Sequence, residues 1–204
     1  MALTWTHKDR GEIRVHENTE ELSTGVVDYI AEISEASILK HGAFCIVLSG
    51  GSLISLMGKL IESLYNKIVD WDKWYVFWAE ERAGRDGQIA SLFPNHPALE
   101  VKDDWVTYLI NSPQPPPERI TFTLPVVNSA ANVAIVATGA SKANAIHLAI
   151  DDLPLQDSSL SLPARLVQPS NRNLVWFMDK PAGSKLDGFK SLRIEFRASS
   201  CSKS

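Results

Sequence analysis

The order of apolar and polar positions divides the chain into alternating strands and helices. Glu12-Ile13-Arg14-Val15-His16 alternates as a short half-buried strand does. From Thr19 to about Leu39, Leu22, Val26, Ile30 and Ile33 recur every three or four residues, which draws an apolar stripe down a long helix. Ala43 to Leu48 is an unbroken apolar run, the mark of a strand buried on both faces, and this makes Cys45 a small buried hydrophobe. After Ser49-Gly50-Gly51-Ser52 a second helical pattern runs through Leu53, Met57, Leu60, Ile61 and Leu64. Trp74-Tyr75-Val76-Phe77-Trp78 is an aromatic-rich strand.

The middle of the chain is irregular from Ala83 to Asn95, where Gly84, Gly87 and Pro94 leave room for one helical turn near Ile89 to Leu92. Trp105 to Ile110 predicts a strand, Ser112 to Pro117 a stiff polyproline connector, and Arg119 to Leu124 another strand. Asn132 to Thr138 reads as a buried strand ending at Gly139, with a helix over Ser141 to Asp151. Asp152 to Leu162 is polar and loop-like. Asn173 to Met178 gives a late strand, with a short helix near Ala182 to Leu186. Strands alternating with helices predict one α/β domain built on a mainly parallel sheet with helices on both faces. No repeat or linker divides it.

Composition narrows the function classes. A chain of 204 residues that is 45% hydrophobic and 22% charged suits one globular domain. A net charge of −4 argues against non-specific binding to nucleic acid or to an anionic membrane, while leaving room for a local basic pocket. The first ten residues lack the apolar centre of a secretory signal, and no apolar run approaches the roughly 18 residues that span a bilayer. Cys45 and Cys201 form neither a disulfide framework nor a metal-ligand spacing. Cys201 stands where a prenylation box would place it, but the two following positions are not aliphatic. These features predict a reduced, soluble compartment, most simply the cytosol.

Candidate chemistry lies where strands feed helices, since α/β sheets bind ligands beyond the carboxyl ends of their strands. In Ser49-Gly50-Gly51-Ser52 the glycines permit close backbone approach and the next helix offers free N–H groups to an anion; a tight turn with a serine cap explains the residues equally well. In Thr138-Gly139-Ala140-Ser141-Lys142 a lysine sits against the helix dipole, a disadvantage that an anionic ligand would offset. Glu80-Glu81-Arg82 places acidic and basic groups at the end of the aromatic strand, followed closely by Asp86-Gly87-Gln88. His7, His16, His41, His96 and His147 show no metal-ligand spacing; His96 is nearest in sequence to the acidic cluster and reads as a loop histidine. No Gly-x-Ser-x-Gly elbow is present.

Taken in order, Ser49-Gly50-Gly51-Ser52, Trp78-Ala79-Glu80-Glu81-Arg82, Asp86 to Pro94, Pro115 to Pro125, Thr138 to Lys142 and Leu166-Val167-Gln168-Pro169 resemble the 6-phosphogluconolactonase family, most closely its plant cytosolic members. The similarity runs from about Ile13 to Leu186. It implies hydrolysis of 6-phospho-glucono-1,5-lactone to 6-phosphogluconate in the oxidative pentose phosphate pathway. It also implies the Rossmann-like fold shared with glucosamine-6-phosphate deaminase, and no metal or organic cofactor. The partner implied is a small sugar-phosphate lactone, with a monomer as the simplest assembly. Carried over residue by residue, Gly50, Gly51 and Ser52 would cradle the phosphate and Lys142 would add a charged contact. Arg82 and Arg119 would face the pocket, Arg82 also steadying charge on the lactone oxygen.

Three departures from the family pattern shape the expectation. Where the family reads Asp-Glu-Arg this chain has Glu80-Glu81-Arg82, one methylene longer at the first position. Where it reads Asp-Gly-His, with the histidine as general base and the aspartate positioning it, this chain has Asp86-Gly87-Gln88. Glutamine has no titratable group near neutral pH, and loss of a positioned base slows such reactions ~10²–10⁴-fold. The family also holds a large block between these motifs, where only Ala83, Gly84 and Arg85 remain here. The expected domain is therefore residues 1–190 with an internal deletion between 82 and 86, followed by a divergent tail over 191–204. Losing a central strand should bare apolar faces and unpaired ladder groups. The alternatives are a non-catalytic sugar-phosphate-binding protein, an unstable truncated product, or a sugar-phosphate isomerase or deaminase.

Overall fold

Among the described residues, eight strands form three sheets. The computed structural model describes residues 2–49, 52–62, 64–78, 90–151, 162–171 and 173–192. The largest sheet has the order β1-β2-β8-β7, with β1 Leu3–His7, β2 Gly11–His16, β7 Val133–Ala137 and β8 Leu174–Asp179. β1 and β2 form an antiparallel hairpin, whereas β2, β8 and β7 run parallel. β3 Phe44–Leu48 pairs in parallel with β4 Trp74–Trp78, and β5 Val106–Leu109 pairs antiparallel with β6 Arg119–Phe122. The architecture is the mixed, mostly parallel α/β arrangement expected, distributed over three sheets.

α1 (Thr19–His41) is ended by local chemistry. The Asn18 side chain accepts the Glu21 N–H at 2.9 Å, and Gly42, at φ +77°, returns its N–H to the Ile38 carbonyl. Glu20 and Glu21 in the first turn and Lys40 and His41 in the last complement the dipole. Its apolar stripe, Leu22, Val26, Val27 and Ile30, is buried against Val175 and Phe177 of β8 and Phe44 of β3. On the opposite face Trp176 and Met178 of β8, Ile13 and Val15 of β2 and Ile135 of β7 pack with α5 (Ala143–Ile150) and with Leu92 and Phe93. β8 is buried along its whole length, and the Trp176 indole N–H donates to the Arg10 carbonyl at 2.9 Å.

Several sequence expectations change. The helical pattern after Ser52 breaks into α2 (Ser52–Met57), a 3₁₀ turn (Gly58–Ile61) and α3 (Tyr65–Ile68), since Gly58 interrupts the run. Leu124 leaves the strand read there and begins α4 (Leu124–Ser129), with Pro125 favouring the first turn. The late helix is α7 (Lys180–Gly183), after the short α6 (Pro163–Leu166). β1 was not expected. Cys45, expected inside, is exposed, as are its sheet neighbours Val47, Tyr75 and Phe77. β3 is covered by α1 on one face only, and no described element covers the other. Trp105, Tyr108 and Ile120 around the β5–β6 hairpin are also largely exposed. No described helix is long and apolar enough to cross a membrane.

Candidate functional site

β3 and β4 end in register at Leu48 and Trp78, so the chain leaves both strands from one edge of their sheet. The residues expected to do chemistry next, Gly50, Gly51, Glu80, Arg82, Asp86 and Gln88, lie outside the described residues, as does the Ser52 side chain. α2, which Ser52 begins, is anchored to α1: Ser23 Oγ donates to the Leu56 carbonyl at 2.5 Å. Nearby, Lys59 Nζ donates to Thr24 Oγ1 at 2.9 Å. The site can therefore be built in side-chain detail from the β7 turn and the β6 region.

Beyond β7, Gly139 adopts φ +84° and ψ 153°, a conformation open to glycine, and a 3₁₀ turn over Ala140–Lys142 leads into α5. Lys142 is thereby placed at the start of α5, half-buried, where the sequence put it. The Gly139 N–H points back to Asp179 at the end of β8, 3.0 Å from Oδ1 and 3.1 Å from Oδ2. Asp179 is 4% exposed. Its Oδ1 also accepts the Ala182 N–H at 2.9 Å, capping α7, and Thr19 Oγ1 approaches Oδ2 at 3.5 Å. One buried carboxylate thus joins the lysine-bearing turn, α7 and the start of α1. Sequence reasoning missed Asp179, although Asp179-Lys180-Pro181 carries the signal of a cap before a proline in the first turn.

Arg119, expected to face the pocket, is engaged by neighbouring protein groups. It is buried, and its guanidinium closes on the polyproline connector: Nε donates to the Pro116 carbonyl, and Nη2 to the carbonyls of Gln114 and Pro115, all at 3.1 Å. Nη1 donates to Ser91 Oγ at 3.3 Å, and the group lies 5.4 Å from the Phe93 ring centre. The planar fork that suits a phosphate here fits a loop of backbone carbonyls. The observed partners make Arg119 a clamp on that connector.

His96, His16 and His147 are held by contacts within the fold. His96 Nδ1 accepts the Ala98 N–H at 3.1 Å and caps a short 3₁₀ turn. His16 is buried at the end of β2, where desolvation lowers its pKa and Nε2 has no hydrogen-bond partner among the described residues. His147 Nδ1 lies 2.5 Å from Asp151 Oδ2, and with Asp187 these form a group of three metal-capable side chains that spacing had not suggested. Protein groups close it: Lys190 Nζ donates to Asp187 at 2.9 Å, and the Asp187 N–H approaches Asp151 at 3.3 Å.

Comparison with known proteins gives the arrangement its context. The family model described as glucosamine-6-phosphate isomerases/6-phosphogluconolactonase matches residues 17–83 and 83–176, two pieces that meet at one position. Probable 6-phosphogluconolactonase 1 of Arabidopsis thaliana is 60% identical over 265 positions, spanning 93% of this chain and 99% of the relative. Those 265 positions outnumber the 204 residues available. Probable 6-phosphogluconolactonase 2 of Oryza sativa subsp. indica is 42% identical over 263 positions, spanning 92% and 94%. Among solved structures, 6-phosphogluconolactonase from Trypanosoma cruzi superposes with a TM-score of 0.71 at 17% identity, covering 90% of this chain and 99% of that one. The chain belongs to the glucosamine-6-phosphate isomerase/6-phosphogluconolactonase family.

Proposed function

We propose that this chain is a 6-phosphogluconolactonase by descent whose scaffold binds 6-phospho-glucono-1,5-lactone and whose hydrolytic step is weakened by two losses. The observation that carries the reading is the 60% identity to a plant relative of that name across nearly its whole length. Gly50, Gly51 and Ser52 would hold the phosphate, and Lys142 would add its charge from the β7 turn. Arg82 would steady the oxygen that becomes negative as water adds to the lactone carbonyl, with Glu80 orienting it. Asp86 would position a base.

That base is the first loss, because Gln88 neither takes up nor releases a proton near neutral pH. The second is the block between residues 82 and 86. The two-part family match and an alignment longer than the chain both support its absence. The Arabidopsis relative carries no organelle in its name, whereas relatives at 35% identity are named chloroplastic, which supports a cytosolic setting.

Thermal melting with and without 6-phosphogluconate tests the binding half. The proposal expects a cooperative melt raised by 6-phosphogluconate and unchanged by unphosphorylated gluconate. Equal shifts from both, or none from either, would remove the phosphate site. Gln88→His tests the other half: recovered turnover would show that the scaffold tolerates the deletion and that the base was the limiting loss.

A further inference from the structure

We propose that Asp179 is a positioning residue for the sugar-phosphate site, its buried carboxylate holding the Thr138–Lys142 turn in the shape that presents Lys142 to a phosphate. The inference rests on the reading above that this turn takes part in binding. The β7–β8 ladder ends at the pair Ala137 and Met178, so Asp179 is the first residue beyond it. Its side chain continues the ladder: both oxygens accept the N–H of Gly139, at 3.0 and 3.1 Å. Capping α7 requires one oxygen, which Ala182 engages at 2.9 Å. The reach across to Gly139 is additional to a cap.

That reach sets a geometry. Gly139 is held at φ +84° and ψ 153°, and three residues later Lys142 stands at the N-cap position of α5. With Asp179 only 4% exposed, water cannot replace it at the Gly139 N–H without opening the core. A charged acceptor shared by two backbone donors makes short, directional bonds, so the turn is fixed before any ligand arrives. No contact between Asp179 and substrate is needed; it acts through Lys142.

Calorimetric titration with 6-phosphogluconate, well below the melting temperature, tests this on the native chain, Asp179→Ala, Lys142→Ala and the double variant. Asp179→Ala and Lys142→Ala should each weaken binding about tenfold, and the double variant should be no weaker than Lys142→Ala, because one acts through the other. Asp179→Asn keeps one acceptor oxygen and should recover part of the affinity; it also replaces the alanine variant if that fails to melt cooperatively. Native affinity in Asp179→Ala, or losses that multiply in the double variant, would overturn the positioning role while leaving the site intact. Native affinity in Lys142→Ala would instead remove the turn from the site, and this proposal with it.

Discussion

Val47 and Phe77 are register partners across the β3–β4 ladder, and both are about half exposed, at 46% and 51%. Cys45 and Tyr75, two residues earlier on the same face, are exposed as well. The opposite face is covered on β3 alone, with Phe44 and Leu48 buried, Phe44 against α1, while Val76 and Trp78 of β4 are exposed at 49% and 62%. A parallel pair with so much bare apolar surface is unusual, because parallel strands are ordinarily covered on both sides. The chain should therefore bind a hydrophobic dye such as anilinonaphthalene sulfonate in its folded state and associate as its concentration rises. Val47→Thr with Phe77→Thr should reduce dye fluorescence while leaving the melting temperature within a few degrees. Unchanged fluorescence would place the apolar surface elsewhere.

Gly25 on α1 lies against the His16 ring, and a Cβ there would stand 2.3 Å from Cε1. Neither the helix nor the sheet strand behind His16 can retreat cheaply. Gly25→Ala should destabilise the fold by ~1–3 kcal/mol in urea denaturation, as overpacking does. Gly58, where an added Cβ would meet no described atom within 4 Å, is the control. Gly58→Ala should be neutral or gain ~0.4–1 kcal/mol through the unfolded chain.

His16 also sets a pH dependence. Burial is the largest influence on its pKa and lowers it; Glu21 opposes that shift, while Arg14 and the N-terminal ammonium reinforce it. The unfolded chain then binds a proton at higher pH than the folded one. Stability is fully present above the unfolded value near 6.5 and is lost as pH falls from there through the folded pKa. Melting temperatures between pH 7.5 and 5 should fall accordingly, and His16→Gln should flatten the slope. A slope unaffected by His16→Gln would assign the effect to another group.

Arg119 should matter for stability through the connector it clamps. Arg119→Lys keeps the charge but loses the fork that reaches Gln114, Pro115, Pro116 and Ser91. A loss of ~2–3 kcal/mol is expected from the carbonyls left unpaired, read from the urea midpoint. Full stability in Arg119→Lys would mean that solvent replaces those bonds.

The strands and long helix were legible because period sets them. α1 begins at Thr19 as its apolar stripe requires, and β7 and β8 occupy their apolar runs. What failed to show in the sequence depends on packing. The run around Cys45 looks like a strand covered on both sides, and nothing local reveals that one cover is missing. The bonds of Arg119 to Gln114, Pro115 and Pro116 exist only once the connector folds back onto it. Asp179 looks like the end of a strand, and its reach to Gly139 exists only once β7 lies beside β8. Lys142 stands before α5, as its sequence position suggests, because a turn between strand and helix fixes that place locally.

Hydrolysis of freshly generated 6-phospho-glucono-1,5-lactone, measured beside a full-length relative and corrected for spontaneous opening, bears most directly on the whole account. The proposed loss of a positioned base predicts a rate at least ~10²–10⁴-fold below that of the relative. A rate matching the relative would contradict it, showing that neither Gln88 nor the shortened middle impairs the reaction.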